Sequence, residues 1–332
     1  MSRIVVTGGA GRLGRSVVRG LAEHGHEVVS IDRGRVPGLE VEQVEQVEHD
    51  LADAPATAAL LQSIRPQRIV HLAAIAVPFS APDATMMAVN TGLAFSVLEA
   101  ALACGAESML VASSPTVIGY GAPGGWSPTS LPIDERHPTA PWNGYALSKL
   151  ALEQLVAMAA RAHGDRLRIG AFRPCYVIAP EEWAGAPTQQ GHTVLERLAS
   201  PALSAVALFN YLDARDAADF VHEWGERASQ VPNGEVLFVG AEDSLVREPV
   251  PEALARLVPG AAARALRLGP TDPVFSSARA RELLGWRPRR SWRSELGEAG
   301  HPVAAAAPAA PAPGRAPEPA LASTADRETH RP

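Results

Sequence analysis

Cysteine is scarce in this chain. Cys104 and Cys175 are the only two, far apart and without CxxC or Cys/His spacing, which excludes a disulfide scaffold and a cysteine-built metal site and fits a reducing compartment. Basic excess is missing as well: 30 Lys+Arg stand against 36 Asp+Glu, a formal net charge of -6. With no Lys/Arg cluster there is no electrostatic footprint for nucleic acid or for a membrane surface, and neither is expected as a partner. No run of about 18 uncharged apolar residues occurs, and the start, MSRIVVTGG, lacks a charged segment followed by an apolar one, so the expected location is cytoplasmic. The 10 histidines show no HExxH or comparable spacing, since VHEWGE at His222 and Glu223 departs from it; no metal is expected.

What is present is a chain of 332 residues, 46% of them hydrophobic and 20% charged, enough to bury a large core in one α/β domain carrying a smaller lobe. From about Val303 the sequence turns to Ala and Pro without periodicity, and 301–332 is expected to be a disordered tail with no place in the fold. Before it, β-branched runs alternate with amphipathic stretches: strand 3–6, helix 12–24, strand 27–31, strand 44–49, helix 56–64, strand 68–72, helix 85–103, strand 108–112, helix 145–163 and strand 167–172. Strands joined by helices of this length require right-handed crossovers, so the fold class is α/β, a doubly wound parallel sheet of Rossmann-like form. Ligands of such sheets sit at the carboxyl ends of the strands.

The first strand runs into Thr7-Gly8-Gly9-Ala10-Gly11-Arg12-Leu13-Gly14 as a helix opens. Glycines at Gly8, Gly11 and Gly14 allow a tight turn, close approach of backbone to a pyrophosphate and close helix-to-strand packing, with phosphate at the helix N-terminus near Arg12 and Leu13. The second strand ends at Asp32, where a carboxylate accepts from ribose hydroxyls and repels a 2'-phosphate, favouring NAD. Arg33 and Arg35 follow at once and leave NADP open. Asp50 and Leu51, after the third strand, are placed to meet the adenine.

Tyr145 and Lys149 stand four apart within a helical pattern and share one face. An ammonium beside a phenol favours the phenolate, so the Tyr145 pKa is expected to fall toward a range useful for proton exchange. Ser114 closes the strand in LVASSPTV and would present a hydroxyl to the same pocket. Such a group suits redox chemistry at a carbinol carbon, with a nicotinamide as partner.

These motifs resemble the extended short-chain dehydrogenases/reductases of the NAD-dependent epimerase/dehydratase family. The resemblance covers most of the first three hundred residues through TGGAGRLG, HDLAD, HLAA, VNTG, SSPTVIG, YALSK, RPCYVIAP, NYLDARDAAD and ARELLGWRPR. It implies Ser114, Tyr145 and Lys149 as the catalytic set, with Tyr145 and Lys149 also meeting the cofactor. It implies cofactor contacts at Gly8, Gly11, Gly14, Asp32, Asp50 and Asn90, and backbone at Leu72, Ala73 and Ala74 lining the nicotinamide side. His71 is implied to be structural. The resemblance further implies a nucleotide-binding lobe over 1–180 and 206–228, a substrate lobe over 181–205 and 229–300, and a homodimer through the helices 85–103 and 145–163.

The pattern is broken in places. Dehydratases of this kind carry an Asp-Glu pair after the catalytic hydroxyl residue, where this chain has Pro115 and Thr116; dehydration is disfavoured. Tyr176, Ile178 and Ala179 depart from the RPxNVYGP-like element, and 181–209 holds Arg197 as its only fixed cation, little with which to clamp a diphosphate. SSPTVIGY is similar to uronate dehydrogenases. The leading expectation is therefore an NAD-dependent oxidoreductase acting on a secondary hydroxyl or ketone of a small polar, sugar-like substrate, with Thr116, Trp142, Asn143 and Tyr176 as candidate substrate contacts. The alternatives are a sugar or nucleotide-sugar 4-epimerase that returns the hydride to the opposite face, and a non-catalytic dinucleotide sensor.

Overall fold

The apolar runs form strands because covered parallel sheets bury both strand faces and favour continuous β-branched sequence. In the computed structural model, which describes residues 1–39 and 41–298, the first ten strands and α-helices are β1 (Arg3–Thr7), α1 (Arg12–Glu23), β2 (Glu27–Asp32), β3 (Val44–Glu48), α2 (Ala54–Ile64), β4 (Arg68–His71), α3 (Asp83–Cys104), β5 (Ser108–Ala112), α4 (Gly144–His163) and β6 (Arg168–Pro174). The segment expected to be a tail lies outside the described residues.

The chain continues through β7 (Val177–Ile178), α5 (Pro180–Trp183), α6 (Val194–Ala199), α7 (Ala202–Ala205), β8 (Leu212–Asp213), α8 (Ala214–Arg227) and β9 (Val236–Val239). Seven strands make one parallel sheet in the order β3-β2-β1-β4-β5-β6-β9. The order reverses at β1, which pairs with β2 on one side and β4 on the other; the crevice at that switch point is where such sheets take ligands. β9 falls within the range expected to be substrate lobe. It belongs to the main sheet instead, because Ala171–Pro174 offers a free edge that Val236–Val239 fills.

Two apolar layers cover the sheet. On one face Val17, Val18 and Leu21 of α1 meet Phe220, Val221 and Trp224 of α8. These helices approach so closely that a Cβ at Gly20 would stand 2.6 Å from the Ala218 methyl. On the other face Leu61 of α2, Ala94, Val97 and Ala101 of α3, and Leu152, Leu155 and Val156 of α4 form the second layer. α3 has mean hydropathy 1.5 in its most apolar window and is long enough to cross a membrane. Here it packs between α2 and α4 and buries Asn90 at its centre. A third cluster, including Ile178, Trp183, Leu198, Tyr211, Leu245 and Trp292, ties 177–213 to the last described segment.

Candidate active site

The glycine loop sits where β1 ends. Gly8 has φ +75, and a Cβ there would lie 2.6 Å from the Ala73 amide nitrogen; a Cβ at Gly14 would lie 2.1 Å from the Gly8 carbonyl oxygen. Only glycine fits either place, and the loop is thereby pressed against 72–74. The N-cap of α1, Gly11, supplies no side-chain cap, so the first amide groups of the helix stay open to an anion. Arg12 adds to this: its Nη2 meets the Val177 carbonyl at 3.4 Å and ion-pairs with Glu182, while Nη1 is buried without a partner. A dinucleotide pyrophosphate fits this donor set. Asp32 braces the loop, accepting from Ala10 N–H at 3.0 Å and Arg33 N–H at 2.8 Å, and stands at the carboxyl end of β2 as a ribose acceptor must.

Ser114, Tyr145 and Lys149 are all buried and converge at the end of β5. Ser114 Oγ accepts from Thr116 N–H at 3.2 Å and Thr116 Oγ1 at 2.9 Å and lies close enough to the Tyr145 hydroxyl to lower its pKa. Lys149 Nζ stands 5.8 Å from the Tyr145 ring centroid and donates to the Ala112 carbonyl at 2.8 Å. The expected acidification of the phenol is not found. Burial pushes the Tyr145 pKa above its usual value, with the Ser114 hydroxyl acting the other way. Burial also pushes the Lys149 ammonium down, to about 8. Both groups share a dry pocket, and desolvation of the phenolate outweighs an ammonium already directed at a carbonyl.

The helix carrying Tyr145 and Lys149 is locked from behind. Arg173 of β6 donates to both carboxylate oxygens of Glu153 at 2.7 and 2.8 Å, and Ser113 Oγ donates to the same carboxylate at 2.6 Å. All three are buried. This network was not legible as function; the only sequence signal is an acid one turn beyond Lys149.

Several expected contacts take other roles. Asn90, expected at the cofactor, accepts from Ile75 N–H at 2.7 Å and donates to the Ile75 carbonyl at 3.3 Å and to Ser148 Oγ at 3.0 Å. Its amide is used up in bracing the loop after β4 against α4. Asn143, expected in the substrate pocket, caps α4 by accepting from Ala146 N–H at 2.9 Å, as Asn does wherever a helix opens. Leu51 packs its side chain into the second layer, leaving its backbone for any nucleotide contact, and Asp50 closes a turn on Ala52 N–H at 3.0 Å. Tyr176 is half-buried with its ring 4.5 Å from the Arg197 guanidinium carbon and its hydroxyl accepting from that guanidinium at 3.1 Å. Trp142 is 36% exposed, donates to the Tyr120 carbonyl at 3.0 Å and lies against Phe79 with ring centroids 5.4 Å apart. Phe79 was not foreseen at this mouth.

His71 closes β4, with Nδ1 2.8 Å from Thr7 Oγ1. Burial, and next the Lys149 charge, lower its pKa to about 3. The fold thus holds a neutral imidazole that the unfolded chain protonates below about 6.5, so the stability is complete above that pH and is lost as pH falls toward 3. From pH 6.5 to 5 the loss is about 2 kcal/mol. The urea midpoint is expected to drop over that interval, and by less in His71→Asn; equal drops in both proteins would remove the assignment.

Known proteins match this arrangement over its whole extent. Residues 4–240 match the NAD dependent epimerase/dehydratase family model. A UDP-glucose 4-epimerase of Azospirillum brasilense is 29% identical, covering 90% of this chain and 95% of its own; that of Mycolicibacterium smegmatis is 28% identical, covering 86% and 94%. Among solved structures, the Stenotrophomonas maltophila UDP-glucose-4-epimerase with bound NAD and formylated UDP-arabinopyranose has TM-score 0.67 at 21% identity, covering 90% of this chain and 96% of that one. A putative epimerase from Burkholderia cenocepacia has TM-score 0.62 at 27% identity, covering 89% and 95%. The seven-stranded sheet, the glycine loop at its switch point and the full-length match together show that the chain belongs to the NAD-dependent epimerase/dehydratase family, an enzyme of the extended short-chain dehydrogenase/reductase type with NAD as its cofactor.

Proposed function

We propose that the enzyme is a sugar 4-epimerase, acting on a sugar or nucleotide sugar by transient oxidation of a secondary hydroxyl. This replaces net oxidation, the leading expectation from the sequence, because the full-length curated relatives are UDP-glucose 4-epimerases. The observation that carries it is the match to those epimerases over 94–95% of their own length, and the buried meeting of Ser114, Tyr145 and Lys149 at the carboxyl end of the sheet supplies the chemistry. When bound, NAD supplies the hydride acceptor and a positively charged ring. Ionised once the charges of Lys149 and of the bound cofactor offset the cost of burial, Tyr145 Oη would take the carbinol proton and later give it back; Ser114 Oγ donates to the substrate oxygen, and Lys149 supplies positive charge beside both. A phenol held above its usual pKa is a reluctant acid and an avid proton acceptor once ionised, and the dry pocket protects the ketone stage from water. Thr116 sets the direction of the Ser114 hydroxyl, and Trp142 offers an aromatic face at the mouth.

One observation favours a second reading, a dehydrogenase of a compact free sugar. Arg197, the only fixed cation of 181–209, is 1% exposed and donates to Thr188, Gln190, the Leu203 carbonyl and Tyr176, leaving it engaged internally instead of on a diphosphate. The two are separated by incubating enzyme and NAD with UDP-glucose, UDP-galactose, aldoses and free uronic acids, following NADH absorbance and sugar identity. Epimerised product without NADH is expected; stoichiometric NADH overturns the epimerase reading.

A homodimer is also part of this proposal. The faces of α3 and α4 leave Phe95 46% and Leu147 47% exposed beside Leu150, Ala151 and Met158 in one apolar groove, suited to the same groove of a second copy. A cytoplasmic location is supported by the two free thiols, Cys104 and Cys175, which suit a reducing compartment.

A further inference from the structure

We propose that His26, His222 and Glu226 form a binding site for one divalent transition-metal ion of the zinc class, at the end of the sheet opposite the candidate active site. His26 comes from the turn between α1 and β2; His222 and Glu226 lie one helical turn apart near the end of α8. His26 Nε2 is 3.1 Å from His222 Nδ1 and 3.9 Å from Glu226 Oε1, and the three ligand atoms all lie within 4.8 Å of one another. Tetrahedral coordination with bonds of about 2.05 Å places ligand atoms about 3.3 Å apart. Small side-chain rotations therefore bring all three onto one ion.

The surroundings fit ligation. Arg68 Nη1 donates to Glu226 Oε1 at 2.5 Å, the kind of outer hydrogen bond that orients a ligating carboxylate. The His24 ring stacks on His222 at 3.8 Å between centroids and 2° between planes, and His24 Nε2 is 3.4 Å from Asp219, so the His222 ring plane is held. The backbone carrying the ligands is set by the tight packing of α1 on α8. Two imidazoles and one carboxylate suit zinc, cobalt or nickel; calcium and magnesium prefer all-oxygen sites. Glu226 is exposed, which gives the ion an entry path and leaves a coordination position for water.

Two features lower the affinity. Ligation through His26 Nε2 moves the ring proton to Nδ1, which now accepts from Ser2 N–H at 3.3 Å, so that long contact is given up; and Arg68 repels the incoming cation. The site is therefore weaker than a closed structural zinc centre, with micromolar affinity, and its effect is to tie the start of β2 to α8. Neither the HxH at His24 and His26 nor the HxxxE at His222 and Glu226 means much alone in the sequence; the packing of α1 on α8 joins them.

The test uses the full chain with NAD bound, equilibrium dialysis against zinc, and the visible absorption of cobalt in its place. One ion per chain is expected, with a tetrahedral cobalt spectrum and a zinc-dependent rise in Tm of a few degrees. His222→Ala and Glu226→Gln are each expected to weaken binding by ~10-fold or more and to abolish the rise in Tm. Glu226 is exposed, so its variant keeps the test open should His222→Ala fail to fold. Absence of saturable binding below millimolar ion, or equal binding by wild type and Glu226→Gln, overturns the proposal.

Discussion

Tyr145→Phe is expected to lower turnover by ~100-fold or more, the scale of a lost general acid/base, while NAD is retained as in the wild type. The ring is 8% exposed and its packing survives in Phe, so a folding defect is not the expected cause. The hydroxyl is the only group removed, and it is the one that faces Ser114 closely enough for that residue to influence its pKa. Steady-state rates and NAD content after gel filtration check both halves. Wild-type turnover in the variant would remove Tyr145 from the chemistry, and loss of NAD together with activity would make its role one of binding.

Glu153→Ala is expected to cost about 3–5 kcal/mol of folding stability, the penalty for leaving a buried charge without its partner. Arg173 is 4% exposed and its Nε and Nη2 both donate to that carboxylate; its Nη1 already lacks a partner. Removing the acid leaves the guanidinium desolvated beneath α4, the helix that carries Tyr145 and Lys149. Urea unfolding measures the loss. The double variant Glu153→Leu/Arg173→Met, which removes both charges, is expected to recover most of it. A midpoint unchanged in Glu153→Ala would show that the pair contributes nothing to the fold.

Much of the fold was legible because its causes are local. Periodicity marks β1 through β6, and Gly8 and Gly14 are glycines for a steric reason that spacing alone reveals. β9 was misplaced because VLFV is too short to show which edge it will join; only the vacancy beside β6 decides that. Ser114, Tyr145 and Lys149 were legible as a set, since their meeting follows from the sheet order and one helical turn. The acidity of Tyr145 was not, because a spacing of four shows that an ammonium is near but neither where it points nor how dry the pocket is. The structural bonds of Asn90 and Asn143 were not legible for a related reason: an amide that braces a loop or caps a helix looks the same in sequence as one that holds a ligand. The joining of His26 to His222 depends on the contact between α1 and α8, which no local pattern encodes.

The account rests on a nicotinamide ring lying over the hydroxyl and amine of α4 while its pyrophosphate occupies the start of α1. A crystal structure of the enzyme with NAD tests this most directly. The account predicts phosphate oxygens on the Arg12 and Leu13 amides, the adenosine ribose on Asp32, and the ring in contact with Tyr145 with Lys149 Nζ reaching its ribose. A dinucleotide bound elsewhere, or one whose ring points away from Tyr145 and Ser114, would contradict it.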